Sequence, residues 1–219
     1  IPTTAQLSAM LNAQYQAAAA DLYRDAIDPV PGSGPVLASI HMVFNNQDNV
    51  YAFRANEGGT AVNIYADSPA GWVLVPLLNS VTFTGGGTAE PLDGDTLTQG
   101  PATATIKRAM ISSGTVGAAS AAGTFTITAP NLGFSAGPAT TSSGATVTLA
   151  GPQTPIVILP GGTYEWDKHI FGGQLFTRWI YGCDGVNKAF VFDGETYSPI
   201  ASGFVPDTPK HMTCHKNHL

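Results

Sequence analysis

Charge is scarce in this sequence. Lys, Arg, Asp and Glu make up 11% of the 219 residues, against roughly 25% in ordinary soluble domains. A surface standing free in water uses charge to keep copies apart, so the shortage implies that much of this surface meets protein. Nine Lys and Arg stand against fifteen Asp and Glu, a net charge of −6, and there is no basic run. That excludes tight wrapping of nucleic acid, because phosphate contacts need clustered Lys and Arg. An acidic surface does let DNA slide past without sticking. Cysteine is equally sparse: Cys183 and Cys214 are too few for a disulfide framework and leave the compartment open. No stretch approaches the ~20 apolar residues of a membrane helix, and no signal peptide is visible. Apolar residues still reach 43%, which predicts a folded core. The chain starts at Ile1 and stops at Leu219 inside a segment, 211–219, that reads as a strand. It therefore reads as a fragment of a longer polypeptide.

What is present is mostly β pattern. Residues 4–27 are the exception and predict a helix, with Thr4 as N-cap and a body rich in Ala, Leu and Gln. Leu7, Leu11, Tyr15, Ala18 and Leu22 fall at steps of three and four and form one narrow apolar stripe. Such a stripe suits docking on another surface, and Leu7, Leu11, Tyr15 and Leu22 are the candidate interface. From Val36 the period becomes two. Strands are expected at 36–44, 50–54, 61–66 and 72–77, separated by turns rich in Asn, Asp and Gly. A four-stranded meander is also the unit of a propeller blade.

From Val81 the composition shifts to Thr, Ala, Ser and Gly, with no charged residue between Arg108 and Glu165. Strands are expected at 102–108, 123–128, 146–149 and 156–159, forming a small inserted β domain. Meander pattern then resumes, with strands at 170–176, 178–181, 188–192 and 196–200 and a hairpin at Asp193-Gly194. Segments 65–77 and 192–200 share an order of aromatic, polar turn, aromatic and Pro-aliphatic, a weak internal repeat. The expected organisation is a docking arm (1–28), a first blade (29–80), the insert (81–164), and a second blade with the start of another (165–219). The fold class is thus mainly β, with propeller-like antiparallel four-stranded blades, an inserted β domain and an N-terminal helix.

The candidate chemistry reduces to turns and core. His211, Cys214, His215 and His218 carry zinc-ligand groups, but in a strand they point to opposite faces, so no metal site is assigned. Asp184, Asp193 and Glu195 could pose as glycosidase carboxylates, yet Asp-Gly turns explain them. Asp93-Gly94-Asp95 lacks the distal glutamate of a calcium loop, and Gly85-Gly86-Gly87 lacks the Lys of a phosphate loop. Tyr51, Phe53, Tyr65 and Trp72 could form a sugar platform, although strand aromatics more often fill a core. No catalytic residue and no cofactor is expected.

Several stretches resemble short-tailed-phage virion proteins of the tail hub or nozzle, also called tail tubular or stabilisation proteins. They are Val50-Tyr-Ala-Phe-Arg54 with Glu57-Gly-Gly-Thr-Ala61, and Gly71-Trp-Val-Leu-Val75. Ile180-Tyr-Gly-Cys-Asp-Gly-Val-Asn187 with Ala189-Phe-Val-Phe-Asp-Gly194, and Asp207-Thr-Pro209 leading to His215-Lys-Asn-His-Leu219, complete the set. Together they cover about half the chain. The resemblance implies a homo-oligomeric ring, with a hexamer expected, below the portal and adaptor proteins in the virion's short tail. It would extend the DNA channel and help retain, then release, the genome. Members of that family run on past the equivalent of Leu219, so the number of blades stays open. The competing expectation is a secreted or surface carbohydrate-binding, adhesive β protein.

Overall fold

A computed structural model describes residues 2–25, 28–44, 47–87, 89–128, 133–169 and 179–214. It shows one N-terminal helix followed by antiparallel strands, so the protein is mainly β. Helix α1 spans Thr4–Asp25; residues 26–27, the predicted end, lie outside the described residues. The cap is Thr3 rather than Thr4. Thr3 Oγ1 accepts the Gln6 N–H at 3.3 Å while Thr3 N–H donates to Gln6 Oε1 at 2.8 Å, a reciprocal capping box that satisfies two orphan groups.

The first four strands form where alternation and polar turns predict them. They are β1 (Ser33–Phe44), β2 (Gln47–Ala55), β3 (Val62–Ala66) and β4 (Val73–Val75), in a sheet of that order. Turn chemistry sets the breaks: Asn56 Oδ1 accepts the Thr60 N–H at 2.9 Å and so closes the β2–β3 turn. Ile40, Met42, Phe53 and Ile64 share the buried face, as period-two alternation requires.

The Thr- and Gly-rich segment closes on itself. Its strands are β5 (Asn79–Thr84), β6 (Thr96–Gln99), β7 (Ala102–Ser113), β8 (Ala122–Ile127), β9 (Gly137–Thr141), β10 (Thr146–Leu149) and β11 (Thr154–Pro155). Around the sheet the order is β5, β8, β7, β6, β9, β10 and back to β5, a closed six-stranded barrel with β11 on the remaining half of β5. Closure removes open edges. Inward positions carry Val81, Phe83, Leu97, Ile106, Phe125 and Val147, and the Phe83 and Phe125 rings stack at 4.4 Å. Thr82, Thr124, Thr140 and Thr148 alternate with them. Threonine's branched Cβ suits a strand without adding charge. Gly87 allows closure, since a Cβ there would sit 2.2 Å from Thr146 Oγ1. The expected strand 156–159 forms no ladder. It is an extended connection in which Ile156 N–H donates to Leu78 O (2.9 Å) and Ile158 O accepts the Val62 N–H (2.7 Å). Ile156, Ile158 and Tyr164 consequently belong to the meander core rather than the barrel.

The last sheet contains β12 (Glu165–His169), β13 (Trp179–Cys183), β14 (Ala189–Phe192) and β15 (Tyr197–Ile200), in that order. Its first strand is β12; the expected strand 170–176 lies outside the described residues. Asp193 builds the β14–β15 turn, its Oδ1 accepting N–H groups of Glu195 (3.0 Å) and Thr196 (2.7 Å). The expected terminal strand is corrected: His211–Cys214 joins no sheet, and 215–219 lies outside the described residues.

The two meanders share one core. Tyr51 meets Phe192 edge-on at 4.9 Å, and Phe53 lies 5.9 Å from Phe190. Each sheet covers the other's apolar face, and each fully buried Phe contributes roughly 1.5–3 kcal/mol. The repeat seen in the sequence falls on β3–β4 and β14–β15, the last two strands of each meander.

Candidate assembly surface

The first half of helix α1 is uncovered. Every described side chain on it, from Thr4 to Tyr15, is exposed, including Leu7 at 47%, Leu11 at 65% and Tyr15 at 76%. Met10, three residues after Leu7 and not named among the stripe residues, extends the stripe at 57% exposure. Side chains of 16–25, Leu22 among them, lie outside the described residues. Twenty-two residues make a helix about 33 Å long. Its root, by contrast, is fixed. Trp72 Nε1–H donates to Asp28 O at 2.9 Å, Arg54 Nε–H donates to Gly34 O at 2.9 Å, and Arg54 also donates to Val30 O. The first meander thus holds the segment that follows the helix, while Leu7, Leu11 and Tyr15 stay in water. No described helix is long and apolar enough to cross a membrane.

A second feature joins barrel to meander. Arg108 of β7 is buried and donates to Asp93 Oδ2 at 2.6 Å and Asp193 Oδ2 at 2.7 Å. Its guanidinium lies 3.6 Å above the Trp179 ring. Trp179 is on the face of β13 opposite Ile180, which points into the shared core. Two carboxylates and one aromatic face satisfy the charge of a cation removed from water. An open cleft of about 500 Å³ runs between barrel and meander, lined by Ser80, Thr82, Thr124, Val157, Leu159 and Lys188 among others. Its walls bring hydroxyls and aliphatics together, with no carboxylate.

The remaining sequence candidates are held in structural bonds. Asp184 is buried; its Oδ1 accepts the Val186 and Asn187 N–H groups at 2.9 and 2.7 Å, and its Oδ2 accepts from Asn187 Nδ2 at 2.6 Å. Asp193 is committed to its turn and to Arg108, so no pair of free carboxylates is assembled from these residues. Asp93 Oδ1 accepts the Ala109 N–H at 2.7 Å, while Asp95 takes Ser142 and Ser143 hydroxyls at 2.8 and 2.6 Å. His211 Nδ1 pairs with Glu165 Oε1 at 2.9 Å, and the Cys214 N–H donates to Asp167 Oδ2 at 3.1 Å. Burial pushes the Cys183 thiol up to about 11 and raises Cys214 as well, so both stay protonated at neutral pH. Among the described residues no His, Cys, Asp and Glu cluster could hold a metal; His215 and His218 lie outside them. Tyr51, Phe53 and Tyr65 are buried, which leaves Trp72 alone of the supposed sugar platform.

No family model matches the chain, and comparison with curated proteins and with solved structures finds no match.

Proposed function

We propose that this chain is a structural subunit of the tail hub of a short-tailed phage, a ring component below portal and adaptor proteins that lines the exit path of DNA. The observation that carries the reading is the tethered helix with its apolar stripe in water. A side of Leu7, Met10, Leu11 and Tyr15 has no counterpart on the chain's own body, and exposed apolar stripes mark protein contacts. The two packed meanders act as adjacent propeller-like blades, and the closed barrel is a decoration on the second. Scarce charge fits a crowded assembly, and net negative charge fits a conduit that does not retain DNA. The work is mechanical: matched interfaces in a closed symmetric ring, with a hexamer as the expected copy number.

Immunogold electron microscopy with an antibody against residues 85–160 tests the location. Gold at the short tail below the head is the expected result. Particles without gold, with antigen free in solution, would overturn the reading in favour of a secreted carbohydrate-binding protein. Leu7→Glu with Leu11→Glu tests the helix: particle completion should be lost while near-UV circular dichroism of the purified chain is unchanged. Normal particle yield would remove the helix from the interface.

A further inference from the structure

An exposed apolar loop and a cavity of mixed polarity lie apart on this chain, and neither is covered among the described residues. The convex one is the loop after β15. Phe204 is 68% and Val205 98% exposed, yet the loop is pinned. Ser202 N–H donates to Asp207 Oδ1 at 3.1 Å, the Ser202 hydroxyl donates to the same oxygen, and Phe204 N–H donates to Ser202 Oγ at 3.3 Å. Two large apolar side chains on a fastened loop form a knob whose ordering entropy is already spent before any contact. The concave feature is a cavity of about 420 Å³ at the β3–β4 turn, lined by Asp28, Asp67, Ser68, Pro69, Ala70 and the half-buried Trp72. Val73 and Leu74, which follow Trp72 in the chain on opposite faces of β4, are 53% and 51% exposed. Asp28 is also where helix α1 leaves the body, so the cavity adjoins the surface already described.

We propose that the Phe204–Val205 knob of one copy seats in the Trp72 cavity of a second copy of this chain, head to tail. A second copy is the occupant because one chain carries both halves of the contact, an exposed apolar loop with a lysine beside it and a cavity that holds Trp72 and two carboxylates. Asp28 and Asp67 line the cavity, and Asp67 Oδ1 also accepts the Val50 N–H at 2.6 Å. At the knob's base Lys188 is half exposed and only 3.9 Å from Asp207 Oδ2, a loose pair whose ammonium can face these carboxylates across the interface. The contact is heterologous: knob and cavity are different patches, so each copy still offers one of each after pairing. Repetition closes a ring if the rotation permits. An aromatic anchor buried in a pocket is also where binding energy concentrates. The inference rests on the ring reading and supplies its interface between copies.

The test uses the whole chain and two single variants, Phe204→Asp and Ala70→Glu. Both positions are exposed, so folding should be kept, and near-UV circular dichroism checks that. Sedimentation velocity over a concentration series should show the original chain associating beyond a dimer and each variant alone as a monomer. An equimolar mixture of the variants should form dimers and nothing larger, because each copy retains one good half. Association that survives both substitutions overturns this interface and leaves the ring standing. A chain that stays monomeric at every concentration overturns both. A mixture that stays monomeric, with wild-type association intact, overturns the head-to-tail pairing.

Discussion

At the scale of single residues, Arg108 and Asp95 carry more than their positions in the chain announce. Arg108 bridges Asp93 and Asp193, which are 15 and 85 residues away. Nothing in the sequence pairs them, because β periodicity tells which face a residue occupies and not which sheet it meets. Without Arg108 the mostly buried Asp193 loses its cation, while Asp93, 43% exposed, stays hydrated, so the cost is about 1–3 kcal/mol. Arg108→Met should therefore lower the unfolding free energy by that order, read as a lower urea midpoint. Arg108→Lys should fall between the two, because an ammonium cannot fork to both carboxylates. Equal stability of the Met variant and the original chain would show that the clamp is idle. Asp95 is the pH-sensitive case. Burial alone would raise its pKa, but bonds from Ser143, the Leu92 N–H and Ser142 outweigh burial and hold it below the usual value. A lowered folded-state pKa gives stability that is present above the unfolded pKa, about 3.9, and lost as pH falls through the folded value. Denaturation from pH 7 down to 3 should show a plateau, then a falling limb below about 4. Asp95→Asn should be weaker by about 1–3 kcal/mol at pH 7, and the limb should be shallower.

At the scale of elements, helix α1 differs from every strand in what sustains it. Its described side chains, Thr4 to Tyr15, bury nothing, so backbone propensity and the Thr3–Gln6 cap hold that half. A helical stretch without tertiary packing melts gradually, because most helical stability in proteins comes from packing an apolar face. In the unassembled chain, ellipticity at 222 nm should decline steadily on warming while the near-UV signal of the packed aromatics holds, then drops cooperatively. A single coincident transition would mean that the helix packs on the body. The same contrast explains how much was legible in the sequence. The first meander could be read strand by strand because apolar alternation and Asn-, Asp- and Gly-rich turns agree there. In the barrel, β5, β6 and β9 were missed. TLTQ and GPATT hold one large apolar residue between them, and the barrel is filled partly by alanine, such as Ala104 and Ala139. β12 was missed because EWDKH carries three charged residues at an edge. The candidate surface was legible as a stripe at Leu7, Leu11 and Tyr15. The knob and the cavity were not, because exposure of Phe204 and Val205 depends on a loop fastened by Ser202 and Asp207 that has no periodic signature.

At the scale of the whole molecule, the decisive fact is that the two cores share no residue: one is formed by both meanders with Ile156 and Ile158, the other by the barrel alone. The chain enters and leaves the barrel at one place, where Asn79 and Pro155 pair across β5–β11 and Ile156 N–H donates to Leu78 O at 2.9 Å. Residues 79–155 should therefore be removable and replaceable by an Asn-Gly turn, which matches the twist of two adjoining antiparallel strands. The meander core itself loses nothing, since Tyr51, Phe53, Phe190 and Phe192 stay in contact. What is lost is the clamp. Asp193 is then left facing water rather than desolvated, so its carboxylate carries no buried-charge penalty. Trp179 loses the guanidinium that lies over its ring. The shortened chain should keep a strong near-UV spectrum and a cooperative urea transition, weakened by a few kcal/mol as the barrel-facing side of the second meander becomes wet. Tryptophan emission should shift to the red. A molten spectrum, with far-UV signal kept and near-UV signal lost, would show instead that the barrel is part of the meander fold. If the shortened chain folds and still associates head to tail, the barrel lies outside the ring's contacts, since knob and cavity are both built on the meanders.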